Sequence, residues 1–421
     1  MESLQDYLDR KTGEIDLLRA CLSSPPPPRR PSSIKEVIEQ KFHLAAALKA
    51  EHTLEDWAVT ETAWAHPGRV RAGAFEFRYD YQRADLQVEG PSFYELAGSA
   101  QHTIYTASGM AAIAGLLLAS ARVIPHADLL AWPGSYSETL ELIKTHARHL
   151  RLIELKSPLG EAACSLQTST ILLFDSCMPA AAYDATFKWR NPRLDLIVFD
   201  TTCFGASSGR VHRVLAWADH WRIPVVLLRS HTKLDSLGVE YGRLGSAVFV
   251  FGSGLGRTQC ECLDALAAEM RTAVRLFGGA ALPAHFPPYV GAPSYRSLTR
   301  RRIAAILRNS RRTARYFEVA LPGSLAETRL SHGLYATLAS DRLVDEHQAR
   351  DAADELARDL SKRGLPLRHA GSFGFDFGAA EWFHHNTSNR YAVRIAVADL
   401  PTAIWDQASQ AVAEWWSRRF G

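Results

Sequence analysis

Residues 194–233 decide the fold class of this chain, and they read LDLIVFDTTCFGASSGRVHRVLAWADHWRIPVVLLRSHTK. Leu194 to Phe199 is mostly apolar and predicts a buried strand, and Ile223 to Leu228 predicts another. Val211 to Trp221, between these two runs, predicts a helix. Two strands joined by a helix are the unit from which parallel sheets are built.

The same alternation continues on both sides of this stretch. Thr170 to Phe174 and Ala247 to Phe251 are short apolar runs that predict strands, and Met110 to Ser120 is a small-residue apolar run that predicts a helix. Largely apolar strands that alternate with helices are typical of a parallel sheet covered on both faces. We therefore expect an α/β fold with a parallel sheet at its centre.

The N-terminal region has a different character. Residues 1–20 predict a short amphipathic helix, Pro25 to Pro28 predict an extended spacer, and residues 34–65 predict a second helix. The apolar positions of this second helix recur near the helical period: Ile34, Val37, Ile38, Phe42, Ala45 and Leu48.

The C-terminal third predicts a second, α+β domain. Helices are expected over residues 298–321, 344–363 and 402–416, and a strand over 390–397. The helix over 344–363 has an apolar face made of Ala349, Ala352, Ala353, Leu356 and Leu360. The expected organisation is an N-terminal helical arm with a proline-rich linker (1–75), a large cofactor-binding domain (76–285) and a small C-terminal domain (286–421).

Composition limits the possible partners. The chain has 421 residues and a formal net charge of +3, which is too small to favour nucleic acid. It has no run of about 20 apolar residues, so no membrane span is expected. Residues 1–19 do not read as a signal peptide, which predicts a cytoplasmic protein. The six cysteines are scattered, and the lone pair Cys260 and Cys262 has no further metal ligands near it in the sequence.

Polar residues follow three of the predicted strands at the end where open α/β sheets bind ligands. They are Asp175 and Ser176, Asp200 to Thr202, and Ser230 to Lys233, while Ser108 to Met110 begins a predicted helix. A helix N-terminus and hydroxyl groups bind phosphate, an acid can keep a pyridine ring protonated, and a lysine amine can form a Schiff base. Together these groups predict a pyridoxal-phosphate site.

Each signal has a simpler interpretation when taken alone. Lys233 could be a solvated surface lysine, Asp200 could cap a turn, and Ser108 could be a plain helix N-cap. The combination of all of them on one sheet edge favours the cofactor site.

The residues of this combination resemble the Cys/Met-metabolism family of pyridoxal-phosphate enzymes, which contains cystathionine synthases and lyases and methionine γ-lyase. The family pattern is Y-x-R, S-G-M-A-A, D-N-T and S-x-T-K. It is matched here in the same order, from about residue 75 to residue 250, by Tyr81-Gln82-Arg83, Ser108-Gly109-Met110-Ala111-Ala112, Asp200-Thr201-Thr202 and Ser230-His231-Thr232-Lys233. A fainter similarity covers residues 371–374 and Arg394.

The resemblance implies pyridoxal-phosphate fold type I, which is aspartate-aminotransferase-like, and a role for each matched residue. Lys233 would carry the cofactor as a Schiff base and move protons, and Asp200 would pair with the pyridinium nitrogen. Tyr136 would stack on the ring, with a buried core aromatic as the alternative. Arg394 would bind the substrate carboxylate, with a surface salt bridge as the alternative, and Ser372 would assist. The implied contacts to the cofactor and its phosphate come from Ser108, Gly109, Met110, Thr202, Ser230 and Thr232, and from Tyr81 and Arg83 of a neighbouring subunit.

The chain also departs from the family. The E-T-P-x-N segment is replaced by Asp175-Ser176-Cys177-Met178-Pro179, and 33 residues separate Asp200 from Lys233, more than is typical. The resemblance therefore predicts a divergent homodimeric or homotetrameric enzyme acting on an α-amino acid through a Cα carbanion. We expect γ-replacement or γ-elimination in specialised metabolism, with β-elimination or aminotransfer as alternatives and a non-catalytic binding scaffold as a different class.

Overall fold

The computed structural model describes residues 2–60, 68–79, 87–96, 100–155, 168–321, 327–331, 334–385 and 390–421. The chain forms two compact units. We call His52–Thr232 with Tyr241–Pro288 the sheet unit, and Met1–Glu51, Lys233–Glu240 and Tyr289–Gly421 the terminal unit.

The described α-helices are α1 (Leu4–Arg19), α2 (Ile34–Thr60), α3 (Gly109–Val123), α4 (Ser137–His146), α5 (Ala180–Thr186), α6 (Gly209–His220), α7 (Arg257–Phe277), α8 (Tyr295–Ala320), α9 (Glu346–Lys362) and α10 (Thr402–Phe420). The described strands are β1 (Gly68–Ala72), β2 (Phe75–Tyr79), β3 (Gln87–Glu89), β4 (Ala100–Thr106), β5 (Ala127–Ala131), β6 (Leu150–Glu154), β7 (Ser169–Asp175), β8 (Leu196–Asp200), β9 (Val225–Ser230), β10 (Gly245–Phe251), β11 (Glu327–Ser331), β12 (Tyr335–Ala339), β13 (Leu367–His369), β14 (Gly378–His385) and β15 (Arg390–Ala396).

The centre of the sheet unit is a seven-stranded sheet with the order β4-β10-β9-β8-β7-β5-β6. The five strands from β9 to β6 run parallel to one another, as predicted. The prediction was wrong for β10, which is antiparallel to both β9 and β4. The segment 231–244 between β9 and β10 contains a short 3₁₀ turn and no α-helix, so it does not form the helical crossover that a parallel connection requires.

Both faces of this sheet are covered. Alternate residues of β7 point to opposite sides. Ile171 and Leu173 belong to one core cluster, which includes residues of α3, α4 and α7, while Leu172 and Phe174 belong to a second, which includes residues of α5 and α6. This packing explains why the central strands are apolar at nearly every position.

The terminal unit contains a five-stranded sheet with the order β11-β12-β15-β14-β13. Its strands pair antiparallel except for β13 and β14. The predicted apolar face of α9 is confirmed: Ala349, Ala352, Ala353, Leu356 and Leu360 are all buried. The predicted helices and strand of this region match α8, α9, β15 and α10.

A group of charged side chains is buried inside the terminal unit, and we call it the ionic cluster. Its members are Arg10, Lys11, Glu14, Lys41, Arg302, Asp376 and Asp399. Nζ of Lys11 lies 2.6 Å from Oδ1 of Asp376 and 2.8 Å from Oδ2 of Asp399. Burial alone would raise the pKa of Asp376, but Lys11, Lys41 and Arg302 hold it well below its ordinary value. The cluster ties α1 and α2 to residues near the end of the chain.

The ionic cluster corrects the predicted face of α2. Lys41 is fully buried, whereas Phe42, which the sequence places on the apolar side, is 68% exposed. The inward face instead contains Val37, Lys41, Leu44 and Leu48. Lys41 turns inward because its ammonium group forms ion pairs with Glu14 and Asp376 there. The predicted residues 61–65 of this helix lie outside the described residues.

No helix in the described part of the chain combines the length and apolar character that a membrane crossing needs.

Candidate active site

In the sheet unit, the predicted acids meet at the carboxyl ends of two adjacent strands. Asp175 ends β7 and Asp200 ends β8, and they are register partners in the parallel ladder. Both side chains are buried, with 0% and 8% exposure respectively. The convergence that the sequence predicts for these strand ends is therefore present within the sheet unit.

The pKa values of both acids are raised. Burial, together with the nearby charge of Asp200, raises the pKa of Asp175 to about 7, although its carboxylate accepts hydrogen bonds from the amides of Tyr136 at 2.9 Å and Cys177 at 2.6 Å. Burial also raises the pKa of Asp200, opposed by a hydrogen bond from the amide of Thr202 at 2.8 Å and by the charge of Arg229. Two close buried carboxyl groups favour sharing a proton over ionising together.

Arg229 is a positioning residue whose role the sequence did not reveal. It is 1% exposed, and its Nη1 donates to the carbonyl oxygens of Thr201 at 3.0 Å and Phe204 at 2.7 Å. Its guanidinium carbon lies 5.5 Å from the centre of the Tyr94 ring, and the Tyr94 hydroxyl is 2.6 Å from that of Thr201. Arg229 thus holds the loop that follows Asp200. An arginine at the end of an otherwise apolar strand was the available signal.

A group of hydrogen-bond donors lies beside these strand ends. The hydroxyl groups of Ser230 and Thr232 are 2.9 Å apart, and the amide of Ser230 donates to Oγ1 of Thr202 at 3.0 Å. A Cβ atom on Gly109 would lie 2.8 Å from Cβ of Ser230, so only glycine allows α3 to begin this close. The first amides of a helix have no acceptor within it. The amides of Gly109 and Met110 therefore begin a helix directly beside the two hydroxyl groups.

Ser108 and Tyr136 occupy helix N-caps. Oγ of Ser108 accepts a hydrogen bond from the amide of Ala111 at 3.0 Å, so the capping interpretation holds for this side chain. Tyr136 precedes α4 without a side-chain capping bond. Its side chain is half-buried and not fully enclosed in the core, and its amide is tied to Asp175.

In the terminal unit, Lys233 contacts Ser372. Nζ of Lys233 donates a short hydrogen bond to the Ser372 hydroxyl and lies 3.4 Å from Oε1 of Glu240. Ser372 has a φ of +123°, which is unfavourable for a residue with a side chain, and such strain is concentrated at functional sites. Lys233 begins the terminal unit's central segment and follows Thr232 of the sheet unit through a peptide bond.

Arg394 lies on β15 opposite Glu381 of β14. Its Nε and Nη2 lie 2.8 Å and 2.5 Å from Oε1 of Glu381. Arg394 therefore forms a salt bridge within its own chain, and this salt bridge is partly buried, with side-chain exposures of 19% and 17%. Glu381 was not among the residues predicted from the sequence.

The contacts described above do not include the predicted residues Tyr81 and Arg83 or the pair Cys260 and Cys262. Tyr81 and Arg83 lie outside the described residues. Among the residues that are described, no group of three or more metal-ligating side chains occurs, and this includes the neighbourhood of Cys260 and Cys262.

Comparisons by sequence find no relative: no family model and no curated protein matches the chain. Comparison of structures, in contrast, finds similar proteins. A cystathionine γ-synthase from Xanthomonas oryzae pv. oryzae has a TM-score of 0.51 and 14% identity over 75% of this chain and 82% of that one. Apo CalE6, a methionine γ-lyase from Micromonospora echinospora, has a TM-score of 0.51 and 15% identity over 74% of this chain and 81% of that one.

A third similar structure is the O-acetylhomoserine sulfhydrylase of Wolinella succinogenes, with a TM-score of 0.51 and 14% identity over 74% of this chain and 91% of that one. At such identities the likeness is one of fold. It confirms the predicted fold class: the chain shares the fold of these structures, which is fold type I.

Proposed function

We propose that this chain is a pyridoxal-phosphate enzyme that acts on an α-amino acid. The observation that supports this most is the close approach of Gly109 to Ser230, which only glycine allows. It places the start of α3 beside the paired hydroxyl groups of Ser230 and Thr232. Helix amides and hydroxyl groups of this kind suit a phosphate. The buried carboxyl group of Asp200 at the adjacent strand end suits a protonated pyridine nitrogen.

When bound, pyridoxal phosphate supplies a ring that takes up the electron pair left behind at Cα. The residues of the chain divide the remaining work. The amides of Gly109 and Met110 and the hydroxyl groups of Ser230 and Thr232 hold the phosphate. Tyr136 would lie against the ring. Thr202 accepts a hydrogen bond from the amide of Ser230 and donates its own amide to the carboxylate of Asp200.

Lys233 has two roles in this proposal. Its amine would hold the cofactor covalently, and as a free amine it would accept the proton from Cα at Nζ. The Ser372 hydroxyl, which hydrogen-bonds Nζ of Lys233, keeps the amine oriented. Arg394 binds the substrate carboxylate through its planar guanidinium group.

The proposed reaction is replacement or elimination of a γ-substituent, because a synthase, a lyase and a sulfhydrylase with γ-substituted substrates share the fold. In this reaction Lys233 would accept the Cα proton and, after passing it on, would accept a Cβ proton. The electron pair of that Cβ–H bond would expel the γ-substituent with its bonding electrons. β-Elimination and aminotransfer use the same proton at Cα and are the second candidates. We also propose that the protein is a homo-oligomer whose sites are shared through Tyr81 and Arg83. Its proposed location is the cytoplasm.

The test of this proposal is chemical trapping of the lysine. The purified protein is mixed with pyridoxal phosphate, reduced with borohydride, and digested for peptide mass spectrometry. The expected result is one modified lysine, Lys233, and loss of the modification in Lys233→Ala but not in Lys188→Ala. A protein that binds no cofactor, or that is modified at another lysine, would contradict the proposal.

A second measurement separates the candidate reactions. Amino acids with different γ- and β-substituents are supplied to the cofactor-loaded protein, and the products are identified. Loss of the γ-substituent supports the proposed reaction, loss of a β-substituent supports the alternative, and pyridoxamine phosphate identifies aminotransfer.

A further inference from the structure

Arg394 is already paired with a carboxylate of its own chain. Nε and Nη2 of Arg394 both lie within hydrogen-bond distance of Oε1 of Glu381, at 2.8 Å and 2.5 Å. The two residues are direct partners across β14 and β15, so the sheet register itself brings them together. A guanidinium group that holds one carboxylate in this way has fewer donors left for another.

Two aromatic rings fix the plane of this guanidinium group. Its central carbon lies 4.3 Å from the centre of the Tyr335 ring and 4.6 Å from that of the Phe383 ring. Contacts of this geometry stabilise a cation over the ring faces. Arg394 is therefore held in place with its Nε–Nη2 edge covered by Glu381. A second carboxylate must either displace Glu381 from this edge or bind to the other N–H groups close beside it.

The carboxylate of Glu381 also reaches the segment that contacts Lys233. A Cβ on Gly371 would lie 2.8 Å from Oε2 of Glu381, so a side chain at position 371 would collide with this carboxylate. The next residue is Ser372, whose hydroxyl receives the hydrogen bond from Nζ of Lys233. Within the terminal unit, a continuous series of contacts thus leads from Arg394 through Glu381 to the lysine.

Resting on the proposed function, we propose that Glu381 is a specificity-determining residue that occupies Arg394 in place of a substrate carboxylate. An α-amino acid that uses Arg394 must displace Glu381 or place its own carboxylate beside it, and in both cases two carboxylates share a partly buried site with one guanidinium group. An amine without a carboxylate binds without breaking the pair. Glu381 therefore weakens the preference for α-amino acids over the corresponding amides or amines.

The experiment compares two probes, butyrate and n-butylamine, on the wild-type protein and on Glu381→Gln. Butyrate carries the carboxylate without an amine, so its binding to cofactor-free protein needs no cofactor chemistry. The expected result is about tenfold tighter binding of butyrate by Glu381→Gln, the order that one charge-assisted hydrogen bond contributes. Binding of n-butylamine stays unchanged. Calorimetric titration measures both.

The double variant Glu381→Gln/Arg394→Gln tests whether the gain acts through Arg394, because the tighter binding must then disappear. Equal affinity of wild type and Glu381→Gln for butyrate, or a gain that persists in the double variant, would overturn the proposal. If Glu381→Gln does not fold, Glu381→Asp keeps the charge but shortens the side chain, and an intermediate gain is expected.

A purely structural ion pair gives a different result. Arg312 and Asp406 form a more exposed arginine–carboxylate pair in the terminal unit, with distances of 2.8 Å and 2.6 Å. Asp406→Asn serves as the control for the loss of such a pair. If Glu381→Gln changes only stability, as Asp406→Asn does, Glu381 has no role in specificity. The cofactor-trapping experiment fails or succeeds independently of these titrations, so the failures of the two proposals are distinguishable.

Discussion

Asp175 and Asp200 are register partners at the ends of adjacent parallel strands, and both carboxyl groups are buried. The pKa of Asp175 rises from 3.8 to about 7 on folding. Between these two pH values, the folded protein therefore keeps a proton that the unfolded chain releases. The stability of the cofactor-free protein should therefore depend on pH in this range.

Stability of the cofactor-free protein should fall as pH rises from about 4 to about 7. A carboxyl group with a raised folded pKa contributes stability at low pH and loses it through this window, by up to about 1.4 kcal/mol per pH unit for one proton. Chemical unfolding of wild type and Asp175→Asn at several pH values measures the effect as a difference. The infrared carbonyl band of a protonated carboxyl group should disappear with a midpoint near 7 in the wild type. A midpoint near 4 would show that the pair does not hold the proton.

Asp200→Asn should keep covalent attachment of the cofactor but slow the exchange of the substrate Cα hydrogen with deuterated solvent. The loss of a charge-assisted contact is expected to reduce this rate roughly 10- to 100-fold. Asp195→Asn, at the opposite end of the same predicted strand, is the control, since its carboxylate accepts from the amide of Thr170 instead. Equal exchange rates in wild type and Asp200→Asn would remove Asp200 from the proposed mechanism.

Gly109→Ala should weaken binding of pyridoxal phosphate about tenfold or more. The added methyl group meets Cβ of Ser230 at 2.8 Å, and overpacking of this kind costs about 1–3 kcal/mol. Gly209→Ala is a matched control, because Gly209 also begins a helix after a serine cap but has no atom within 4 Å of the added Cβ. Fluorescence titration of the cofactor-free proteins compares the two. Equal affinities would mean that the phosphate does not bind at the start of α3.

Lys41→Met should destabilise the protein by about 3 kcal/mol, because removing one partner from buried ion pairs leaves charges uncompensated. Lys35→Met in the same helix should change the free energy of unfolding by less than about 0.5 kcal/mol, since Lys35 is exposed and lies 3.8 Å from its nearest carboxylate partner, Glu39. Denaturant unfolding measures both variants. Similar values for the two would show that the ionic cluster adds little stability.

A mixture of Arg83→Ala and Lys233→Ala should regain activity after the two inactive proteins are unfolded and refolded together. The reason is that shared sites leave one intact site in some mixed dimers, although Arg83 itself lies outside the described residues. The oligomeric state of the mixture is measured in parallel. Mixed dimers without activity would mean that Arg83 does not serve a neighbouring subunit.

The sequence predicted the central strands because they are buried on both faces. β7, β8 and β9 each contain four successive apolar residues, and this local signal does not depend on the rest of the fold. Three other strands of the same sheet, β4, β5 and β6, were not predicted. The first and last are edge strands with exposed residues, and β5 contains Asp128, whose carboxylate is paired with Arg151 at 2.6 Å.

In the candidate site, too, some residues could be predicted from the sequence and others could not. Motif order placed Asp200, Ser230 and Gly109 together in the sheet unit, where their contacts are now described. Glu381 and Lys41 have no such motif, because their importance comes from partners that only folding brings near. Arg229 is similar, since its two acceptors are carbonyl oxygens and carry no sequence signal.

The ionic cluster can form completely only late in the synthesis of the chain. Arg10 and Lys11 leave the ribosome early, but their partners Asp376 and Asp399 follow only after most of the chain is made. At about 5 to 20 residues per second, roughly 20 to 80 s pass between them. The residues of the sheet unit are complete before that time, so the terminal unit is the last to close. Until then, among the described ion pairs, Arg10 and Lys11 have only their partners in the same region, Glu2 and Glu14.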